Sequence, residues 1–248
     1  MSELIWQQDF LRSDADLSQW NVRLGNDLLD DDGQAVCPGW GNNEQQYYTG
    51  HAGNLYIDGN GLNLCARKET VETEDGRTFA YTSARLDTRD RFSYRYGKLV
   101  VRAKLPVGQG LWPAVWLMPQ HSAYGPWPAS GEIDVMEAKG RLPRRIYGTL
   151  HHGKDMDHKV TDEFSYEFEE GTIAQFRDYG LEWDAGSIRW LADGHIFAER
   201  RLEPGVTPFD QPFYLVLNLA VGGWFDAVPV DDASLPAVMT VAGIRLYR

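Results

Sequence analysis

The sequence predicts an all-β protein built as one antiparallel β-sandwich, and three observations lead to this prediction. Short runs rich in apolar and β-branched residues alternate with turn signals along the whole chain. Long helical periodicity is almost absent, and no linker, repeat or low-complexity tract divides the sequence. A length of 248 residues is normal for a large sandwich. We therefore expect a single domain covering residues 1–248.

Strand-like runs and tight turns follow one another along the chain. The clearest runs are Gly53 to Arg67, Tyr96 to Leu105, Ile188 to Ala192 and Phe213 to Ala220. Tight turns are indicated at Asp58-Gly59, Asp75-Gly76 and Asp193-Gly194. Two alternating runs within residues 188–199 flank the last of these turns and predict a hairpin. The best candidate for a helical turn is the segment from Thr172 to Phe176.

Residues 131–137, Gly-Glu-Ile-Asp-Val-Met-Glu, set three carboxylates inside an apolar strand. Alternate residues of a strand share a face, so Glu132 and Asp134 point the same way, whereas Glu137 points the other way. A β-bulge with one extra residue would bring Glu137 back to their face. Like charges in a row destabilise a sheet, so a solvated acidic strand explains this pattern poorly.

The spacing of the two glutamates fits a known type of hydrolysis. After one bulge, Glu132 and Glu137 lie about four strand steps apart, or roughly 13 Å between backbones. Side chains that lean inward could reduce this to about 5 Å, the separation of the two carboxylates of a retaining glycosidase. One carboxylate then attacks the sugar, the other protonates the leaving oxygen, and Asp134 is a third, supporting acid.

At these residues the chain resembles glycoside hydrolase family 16, and within it the laminarinase-like endo-β-1,3-glucanases. Residues 132–137 match the bulged form of the family's catalytic strand, Glu-x-Asp-x-x-Glu. Further blocks resemble this group in the same order: Trp40 to Thr49, Tyr81 to Leu86, Gly110 to Pro119, Thr149 to Gly153 and Pro212 to Trp224. The resemblance runs from residue 6 to the last strand and so extends over nearly the whole chain.

The resemblance implies a jelly-roll sandwich of two antiparallel sheets, of which the concave one forms a substrate cleft. It also implies that Glu132 is the nucleophile, that Asp134 assists it and that Glu137 is the general acid/base. The implied reaction is endo-acting hydrolysis of β-1,3-glucosidic bonds in laminarin-type β-glucans by double displacement, which can be accompanied by transglycosylation. The partner is then a β-glucan polysaccharide or oligosaccharide.

The chain departs from the family pattern at two places. The family's final strand usually carries an Asp, often a calcium ligand, where this chain has Ala242, so the resemblance does not support a structural calcium here. The usual Gly-Gly-Asn-Trp turn reads Gly222-Gly223-Trp224. We therefore expect a differently shaped cleft wall near Trp224.

Tryptophans provide the candidate sugar platforms. Alternation places Trp112 and Trp116 on one face with Ala114 between them, and two indoles so spaced form a shelf for a pyranose ring. A packed core would show the same alternation, but the neighbouring catalytic strand favours the cleft. Trp127 is expected in a loop at the cleft mouth, where the family has an aromatic on the leaving-group side. Core or sheet packing is expected for the indoles of Trp6, Trp20, Trp183 and Trp190.

Polar candidates lie in blocks that match the family's substrate-contacting loops. Asn43, Glu44 and Arg85 belong to such blocks, and Arg85 either donates a fork of hydrogen bonds to adjacent hydroxyls or forms a local salt bridge. His151 lies in a strand expected beside the catalytic one, where it could hydrogen-bond Asp134 or a sugar. The adjacent His152 would point to the opposite face, so we predict no metal site and no required cofactor.

Composition limits the class of partner and the compartment. A net charge of −12 argues against nucleic acid and anionic membranes and favours a neutral substrate. No apolar stretch is long enough to span a membrane, and no signal peptide is visible, which predicts a cytoplasmic protein if Met1 is the native start. With a leader already removed, the alternative is a secreted or periplasmic protein. We expect a monomer in which Cys37 and Cys65 are free thiols.

Three alternatives remain open from the sequence. The same chemistry could act on mixed-linkage β-1,3-1,4-glucan, or on galactans as in the agarase and carrageenase relatives. The bulged spacing and the blocks around Trp40 and Trp112 favour the laminarinase group. A noncatalytic β-glucan-binding protein on the same fold is the third, and it is disfavoured because such relatives typically lose catalytic carboxylates and all three are present here.

Overall fold

Strands dominate the computed structural model, which describes residues 3–29, 34–203, 205 and 208–248. The strands are β1 Leu4–Asp9, β2 Asn21–Arg23, β3 Asp27–Leu29, β4 Ala35–Pro38, β5 Gln46–Tyr48, β6 Leu55–Asp58, β7 Gly61–Glu72, β8 Thr78–Ser83, β9 Arg85–Asp87, β10 Gly97–Lys104, β11 Leu111–Pro119, β12 Glu132–Glu137, β13 Arg145–Gly153, β14 Lys159–Glu167, β15 Arg177–Trp183, β16 Ser187–Ala192, β17 His195–Arg201, β18 Phe213–Val221 and β19 Ala237–Tyr247. Short 3₁₀ helices cover Gly39–Gly41, Met156–His158 and Asp232–Ser234. Within the described ranges no helix is long and apolar enough to cross a membrane.

Two large sheets form the sandwich, and this confirms the predicted fold class. One sheet has ten strands, in the order β17-β16-β15-β10-β19-β7-β8-β5, with β1 paired to β19 and β6 paired to β7. The other has seven strands, in the order β14-β13-β12-β11-β18-β9-β2, and β3 and β4 form a separate ribbon. The pairing is antiparallel except between β5 and β8, which run parallel.

The core between the sheets takes the apolar half of each alternating strand. On β12 the side chains of Ile133, Val135 and Met136 are buried, which leaves the acidic residues to the other face. Pro113, Val115 and Leu117 of β11 behave in the same way, whereas Trp112 and Trp116 between them are only half-buried. The seven-stranded sheet therefore buries one face and offers a polar and aromatic face to the outside.

Other tryptophans pack as the sequence predicts. Trp20, Trp183 and Trp190 are buried in the core. Trp6 is half-buried and stacks on Phe92 with ring centroids 4.0 Å apart. These indoles stabilise the sheets and lie outside the polar face of the seven-stranded sheet.

Turn signals located the hairpins correctly, and the expected turn near Thr172 to Phe176 is present. β16 and β17 pair around Asp193 and Gly194, and β6 and β7 pair around the Asp58-Gly59 turn. The segment from Thr172 to Phe176 forms no helix but a single turn, in which the Gln175 amide donates to the Thr172 carbonyl over 3.3 Å. Cys37 and Cys65 are free thiols.

Candidate active site

A β-bulge in β12 brings the three acidic residues onto one face. Asp134 lies opposite Thr149 of β13, while Glu137 lies opposite Tyr147, only two positions earlier on that strand. Three steps on β12 therefore match two steps on β13, which is the extra residue that a bulge supplies. Glu132 precedes Asp134 by two positions and shares its face.

Each glutamate of this strand accepts a hydrogen bond from one indole. Trp127 Nε1 donates to Glu132 Oε2 over 2.5 Å. Trp112 Nε1 donates to Glu137 Oε1 over 2.8 Å. The two candidate catalytic carboxylates therefore have separate donors, and each donor fixes one oxygen and leaves the other available.

Asp134 lies between the glutamates and is the most enclosed of the three acids. Its Oδ2 is buried without a hydrogen-bond donor, and the Nε2 atom of His151 is 3.4 Å away. From the core side, Trp190 Nε1 donates to the main-chain carbonyl of Asp134 over 2.8 Å and anchors the strand at the bulge. Asp134 is thus held rigidly where it can share a proton with a neighbouring carboxylate.

Burial raises the pKa of all three carboxyl groups, but to different extents. The pKa of Glu132 rises to about 7 through burial, opposed by the Trp127 hydrogen bond and by the positive charges of Arg85 and Lys159. Asp134 is raised well above its ordinary pKa, first by burial and then by the charges of both glutamates. The hydrogen bond and the positive charges around Glu132 favour its ionised form, which suits a nucleophile.

Glu137 keeps its proton longer than Glu132. Burial raises the pKa of Glu137 to about 8, the Trp112 hydrogen bond lowers it, and the charges of Glu132 and Glu163 raise it. Burial, not the charge of the neighbouring carboxylates, is the largest cause of this rise in the pKa of Glu137. Of the two glutamates, Glu132 therefore gives up its proton more readily and Glu137 retains its proton more strongly, the order that acid-assisted displacement requires.

His151 is uncharged at this site. Burial and the nearby charges of Lys159 and His152 lower the pKa of His151 to about 4. Its Nδ1 atom lies 3.0 Å from Thr161 Oγ1 on β14. His151 therefore faces Asp134 as a neutral imidazole. His152 points to the other face of the sheet, as the sequence predicts, where its ring meets Phe209 edge-on.

One flank of the acidic strand is formed by β11, β18 and β9. Arg85 of β9 pairs in register with Asn218 of β18, which pairs with Ala114 of β11 opposite Glu137. Arg85 is 8% exposed, and its guanidinium lies 4.1 Å from the ring centre of Trp40. The guanidinium is held against aromatic faces. This contact explains the position of Arg85 without the local salt bridge that was one of the two expectations.

Glu44 lies behind this flank and is only 6% exposed. Its Oε2 accepts from Gln46 Nε2 over 2.6 Å and from the Tyr48 hydroxyl over 2.9 Å. Asn42 Nδ2 donates to its Oε1 over 3.3 Å. The carboxylate predicted to contact substrate therefore already accepts protein donors on both oxygens.

Asn43 and Trp224 lie on the rim above Glu44. Asn43 is exposed and adopts a left-handed backbone conformation with φ of 58°. The Trp224 amide donates to the Asn42 carbonyl over 2.9 Å, and the Trp224 indole is 67% exposed. The Gly222-Gly223-Trp224 turn thus leaves its tryptophan projecting from the rim, while the next residue, Phe225, stacks on Trp112.

The opposite flank, formed by β13 and β14, is more polar. Lys159 lies 5.1 Å from the ring centre of Trp127, which is itself 38% exposed. Thr149 pairs with Glu163, so this exposed glutamate shares the face of Asp134 two strands away. Every predicted site residue thus lies on or around one face of the seven-stranded sheet, with Asn43 and Trp224 at its rim.

Comparison with known proteins identifies the family. Residues 42–234 match the model of glycosyl hydrolases family 16. The chain belongs to this family. It is 40% identical over 259 aligned residues to glucan endo-1,3-beta-glucosidase A1 from Niallia circulans, covering 99% of this chain but 38% of that protein. It is 37% identical to a beta-glucanase from Rhodothermus marinus, covering 99% of this chain and 85% of that protein.

Solved structures of family 16 agree with this assignment. The laminarinase catalytic domain from Thermotoga maritima superposes with a TM-score of 0.86 at 36% sequence identity, covering all of this chain and 98% of that one. The sandwich that carries the acidic strand therefore has the jelly-roll fold of these laminarinase structures.

Ala242 stands where the resemblance places an Asp that is often a calcium ligand. Ala242 is buried in β19, has no side-chain oxygen, and its carbonyl accepts the Phe10 amide over 3.1 Å. Among the described residues, one group of three could hold an ion, namely Glu132, Asp134 and His151, whose ligand atoms lie within 4.8 Å of one another. These are the residues of the acidic site itself.

Several residues of this family 16 site were missed by sequence analysis. Asn218 is a single polar residue in the apolar run of β18. It lies two positions after Val216 and so shares the face of that residue, which would have placed it on the open face. Tyr48 belongs to the Trp40 to Thr49 block and could have been found there. Gln46, which donates to Glu44 two positions earlier, belongs to the same block. The role of Glu163 depends on pairing between β13 and β14, for which the sequence carries no local signal.

Proposed function

We propose that this family 16 protein is a retaining endo-β-1,3-glucanase that cleaves laminarin-type glucans. The observation that carries the proposal is the bulged strand on which Glu132 and Glu137 share a face with different pKa values, about 7 and about 8. The endo-β-1,3 specificity is supported by the names of the relatives, a glucan endo-1,3-beta-glucosidase and a laminarinase. The substrate is a neutral β-glucan, which suits a chain with a net charge of −12.

In the first step Glu132 attacks the anomeric carbon of the sugar. A carbon–oxygen bond forms to the carboxylate while the glycosidic bond breaks, and Glu137 gives its proton to the departing oxygen. The Trp127 hydrogen bond to Oε2 holds the Glu132 carboxylate in place for this attack. Asp134 can hold a proton beside the nucleophile, because burial and the charges of both glutamates raise its pKa well above the ordinary value of an aspartate.

In the second step water replaces the enzyme on the sugar. Glu137, now ionised, takes a proton from the water, whose oxygen attacks the anomeric carbon and releases Glu132. The esterified Glu132 no longer repels the ionised Glu137, so the proton affinity of Glu137 falls between the two steps. A sugar hydroxyl in place of water gives transglycosylation by the same path.

The direct experiment combines Glu132→Gln with a panel of polysaccharides. Wild-type enzyme should release reducing ends from laminarin as a series of oligosaccharides, and Glu132→Gln should lose nearly all turnover but keep glucan binding, because an amide is a very poor nucleophile. Preferred cleavage of mixed-linkage glucan or of a galactan would replace the β-1,3 assignment. Binding of laminarin without any reducing-end release by the wild type would identify a glucan-binding protein instead.

We also propose that the enzyme works as a monomer without a cofactor. The proposed steps use only carboxyl groups, and Ala242 supplies no side-chain ligand at the usual calcium position of the family. Sedimentation or light scattering of the purified chain tests the first part of this proposal. Chelation, described in the Discussion, tests the second.

A further inference from the structure

A chain of hydrogen bonds connects Trp116 to the buried Glu44. Trp116 Nε1 donates to Asn218 Oδ1 over 2.7 Å, and Asn218 Nδ2 donates to the Tyr48 hydroxyl oxygen over 3.1 Å. Tyr48 in turn donates to Glu44 Oε2 over 2.9 Å. We call Glu44, Tyr48 and Asn218 the relay. All three are at most 6% exposed, whereas Trp116 is half-buried on the open face.

Every donor in the relay points toward the same carboxylate. The Tyr48 hydroxyl has one proton, and because it gives that proton to Glu44 its oxygen is free to accept from Asn218. The Asn218 amide is then fixed in one orientation, with its oxygen toward the indole of Trp116. Such a one-way chain is cooperatively strengthened in a buried setting and is costly to break at any link.

The same unit holds Arg85. The guanidinium lies 4.8 Å from the ring centre of Trp116 and 4.1 Å from that of Trp40, and its Nε is buried without a hydrogen-bond partner. The charge of Glu44 acts on this guanidinium through space. A buried donor without an acceptor is costly unless a ligand supplies one, so Arg85 is prepared for an oxygen that approaches along the open face.

We propose that the relay of Glu44, Tyr48 and Asn218 positions Trp116 and Arg85 as one rigid grip for the glucan on the flank formed by β11, β18 and β9. These residues act on affinity for the sugar units bound there, not on cleavage of the bond. Glu44 is then a positioning residue, because its oxygens face protein donors. This inference rests on the proposed function and assigns the source of its substrate affinity.

A single hydroxyl tests the relay. Tyr48→Phe removes both central hydrogen bonds and keeps the ring, which packs against Trp40. The control is Tyr94→Phe, because Tyr94 is also a buried tyrosine but its hydroxyl has no partner among the described residues. We expect Tyr48→Phe to raise KM for laminarin oligosaccharides about tenfold with kcat changed less than about twofold, and Tyr94→Phe to change neither.

Chain length locates the effect on the flank. Activated aryl β-laminariosides carry all their glucose units on the side of the scissile bond away from the leaving group. The resemblance assigns Trp127, which lies by the β13 and β14 flank, to the leaving-group side. The glucose units should therefore bind along the opposite flank, formed by β11, β18 and β9. The increase in KM caused by Tyr48→Phe should therefore grow from the glucoside to the trioside. An equal increase for every length, or a fall in kcat alone, would overturn the proposal.

A second variant tests whether Trp116 and Tyr48 act through the same chain of hydrogen bonds. Trp116→Phe removes the first donor of the chain, so the double variant with Tyr48→Phe should raise KM by much less than the product of the single effects. Multiplicative effects would show that the two residues act separately and would reject the relay. If Tyr48→Phe lowers only the melting temperature and matches Tyr94→Phe in KM, the relay is structural.

Binding measurements separate this inference from the proposed function. Laminarihexaose is titrated into Glu132→Gln by calorimetry, with and without Tyr48→Phe, so that no turnover is required. About tenfold weaker binding in the double variant supports the relay even if the wild type proves not to cleave the glucan, in which case only the proposed function fails. Equal binding by both proteins, or binding by neither, overturns the relay.

Discussion

Trp112 donates its indole N–H to Glu137 Oε1 over 2.8 Å and thereby lowers the pKa of the residue proposed as acid/base. The same indole stacks on Phe225, with ring centroids 5.1 Å apart, so its position is fixed from the rim of the cleft. Trp112 therefore has two roles, as an aromatic wall and as a hydrogen-bond donor. Trp116, the other member of the predicted shelf, donates to the amide oxygen of Asn218 instead and has no hydrogen bond to Glu137.

This difference predicts different pH profiles for two similar variants. Trp112→Phe removes a hydrogen bond to the ionised form of Glu137, a bond worth about 1.5 kcal/mol, so the pKa of Glu137 should rise by about one unit. The alkaline limb of kcat/KM, which reflects loss of the Glu137 proton, should move upward accordingly. Trp116→Phe should weaken binding and leave that limb in place. Identical limbs in both variants would contradict a role for Trp112 in setting the pKa.

Aromatic truncation should affect affinity more than folding. Trp116 is half-buried on the open face, so Trp116→Ala should weaken oligosaccharide binding by roughly 1–3 kcal/mol, by analogy with stacking on other planar ligands. Trp183→Ala is the matched control, because that indole is buried in the core and its loss should cost about 3–5 kcal/mol of stability. Calorimetric titration and thermal melting measure the two effects. A large stability loss with unchanged affinity for Trp116→Ala would place its indole in the core.

The sequence identified the acidic site because its information is local. Alternation within residues 132–137 puts Glu132 and Asp134 on one face whatever the rest of the chain does, and the motif specified the bulge. The partners of these residues were not predictable in this way. Whether Trp112 or Trp116 reaches Glu137 depends on the register between β11 and β12, and this register shifts at the bulge itself.

Glu44 and Arg85 show the same limit more clearly. The two blocks that contain them indicated that both residues lie near the substrate. The blocks could not separate a residue that touches sugar from one that holds a neighbouring residue in place. That distinction depends on Tyr48 and Asn218, which are 170 residues apart in sequence and meet through a single hydrogen bond. The turn from Thr172 to Phe176, by contrast, was predictable, because its hydrogen bond joins residues only three positions apart.

The raised pKa of Glu137 predicts that ionisation of the site destabilises the fold. Its pKa is about 8 in the folded state and about 4.5 when unfolded, so its contribution to stability is fully present below about pH 4.5 and is lost as the pH rises through 8. The melting temperature should therefore fall between pH 6 and pH 9. Glu137→Gln keeps an oxygen for the Trp112 donor but carries no charge, and should melt roughly 3 °C or more above the wild type at pH 9.

The control for this stability effect is an exposed glutamate. Glu74 lies in the turn between β7 and β8 and is exposed, so Glu74→Gln should follow the wild-type melting curve across the same pH range. Equal pH dependence in the wild type and in Glu137→Gln would show that Glu137 is not the group that destabilises the fold above neutral pH.

Chelation tests the proposal that no metal takes part. Dialysis against EDTA followed by metal-free buffer should leave laminarin hydrolysis and the melting temperature unchanged, because the proposed steps use Glu132 and Glu137 alone. Metal analysis of the same sample by mass spectrometry is the matching measurement. A loss of activity that calcium or zinc restores would instead indicate an ion in the protein, with Glu132, Asp134 and His151 as the first group to examine.

The two steps of the proposed mechanism can be separated by removing Glu137. Glu137→Ala should strongly slow hydrolysis of laminarin, whose leaving group needs a proton, and should slow much less the first step with an activated aryl glycoside, whose leaving group departs without one. The second step then lacks its base. Added azide should restore turnover of the aryl substrate, because this anion attacks the glycosyl-enzyme without giving up a proton.

The product of this rescue reports the stereochemistry. A β-glycosyl azide requires two inversions at the anomeric carbon, one by Glu132 and one by azide, and therefore requires the covalent intermediate on Glu132. The double variant Glu132→Gln/Glu137→Ala is the control and should show no rescue to the β product. An α-configured azide from Glu137→Ala would indicate direct displacement and reject the retaining mechanism. Equal loss on both substrates with no rescue would remove Glu137 from the acid/base role.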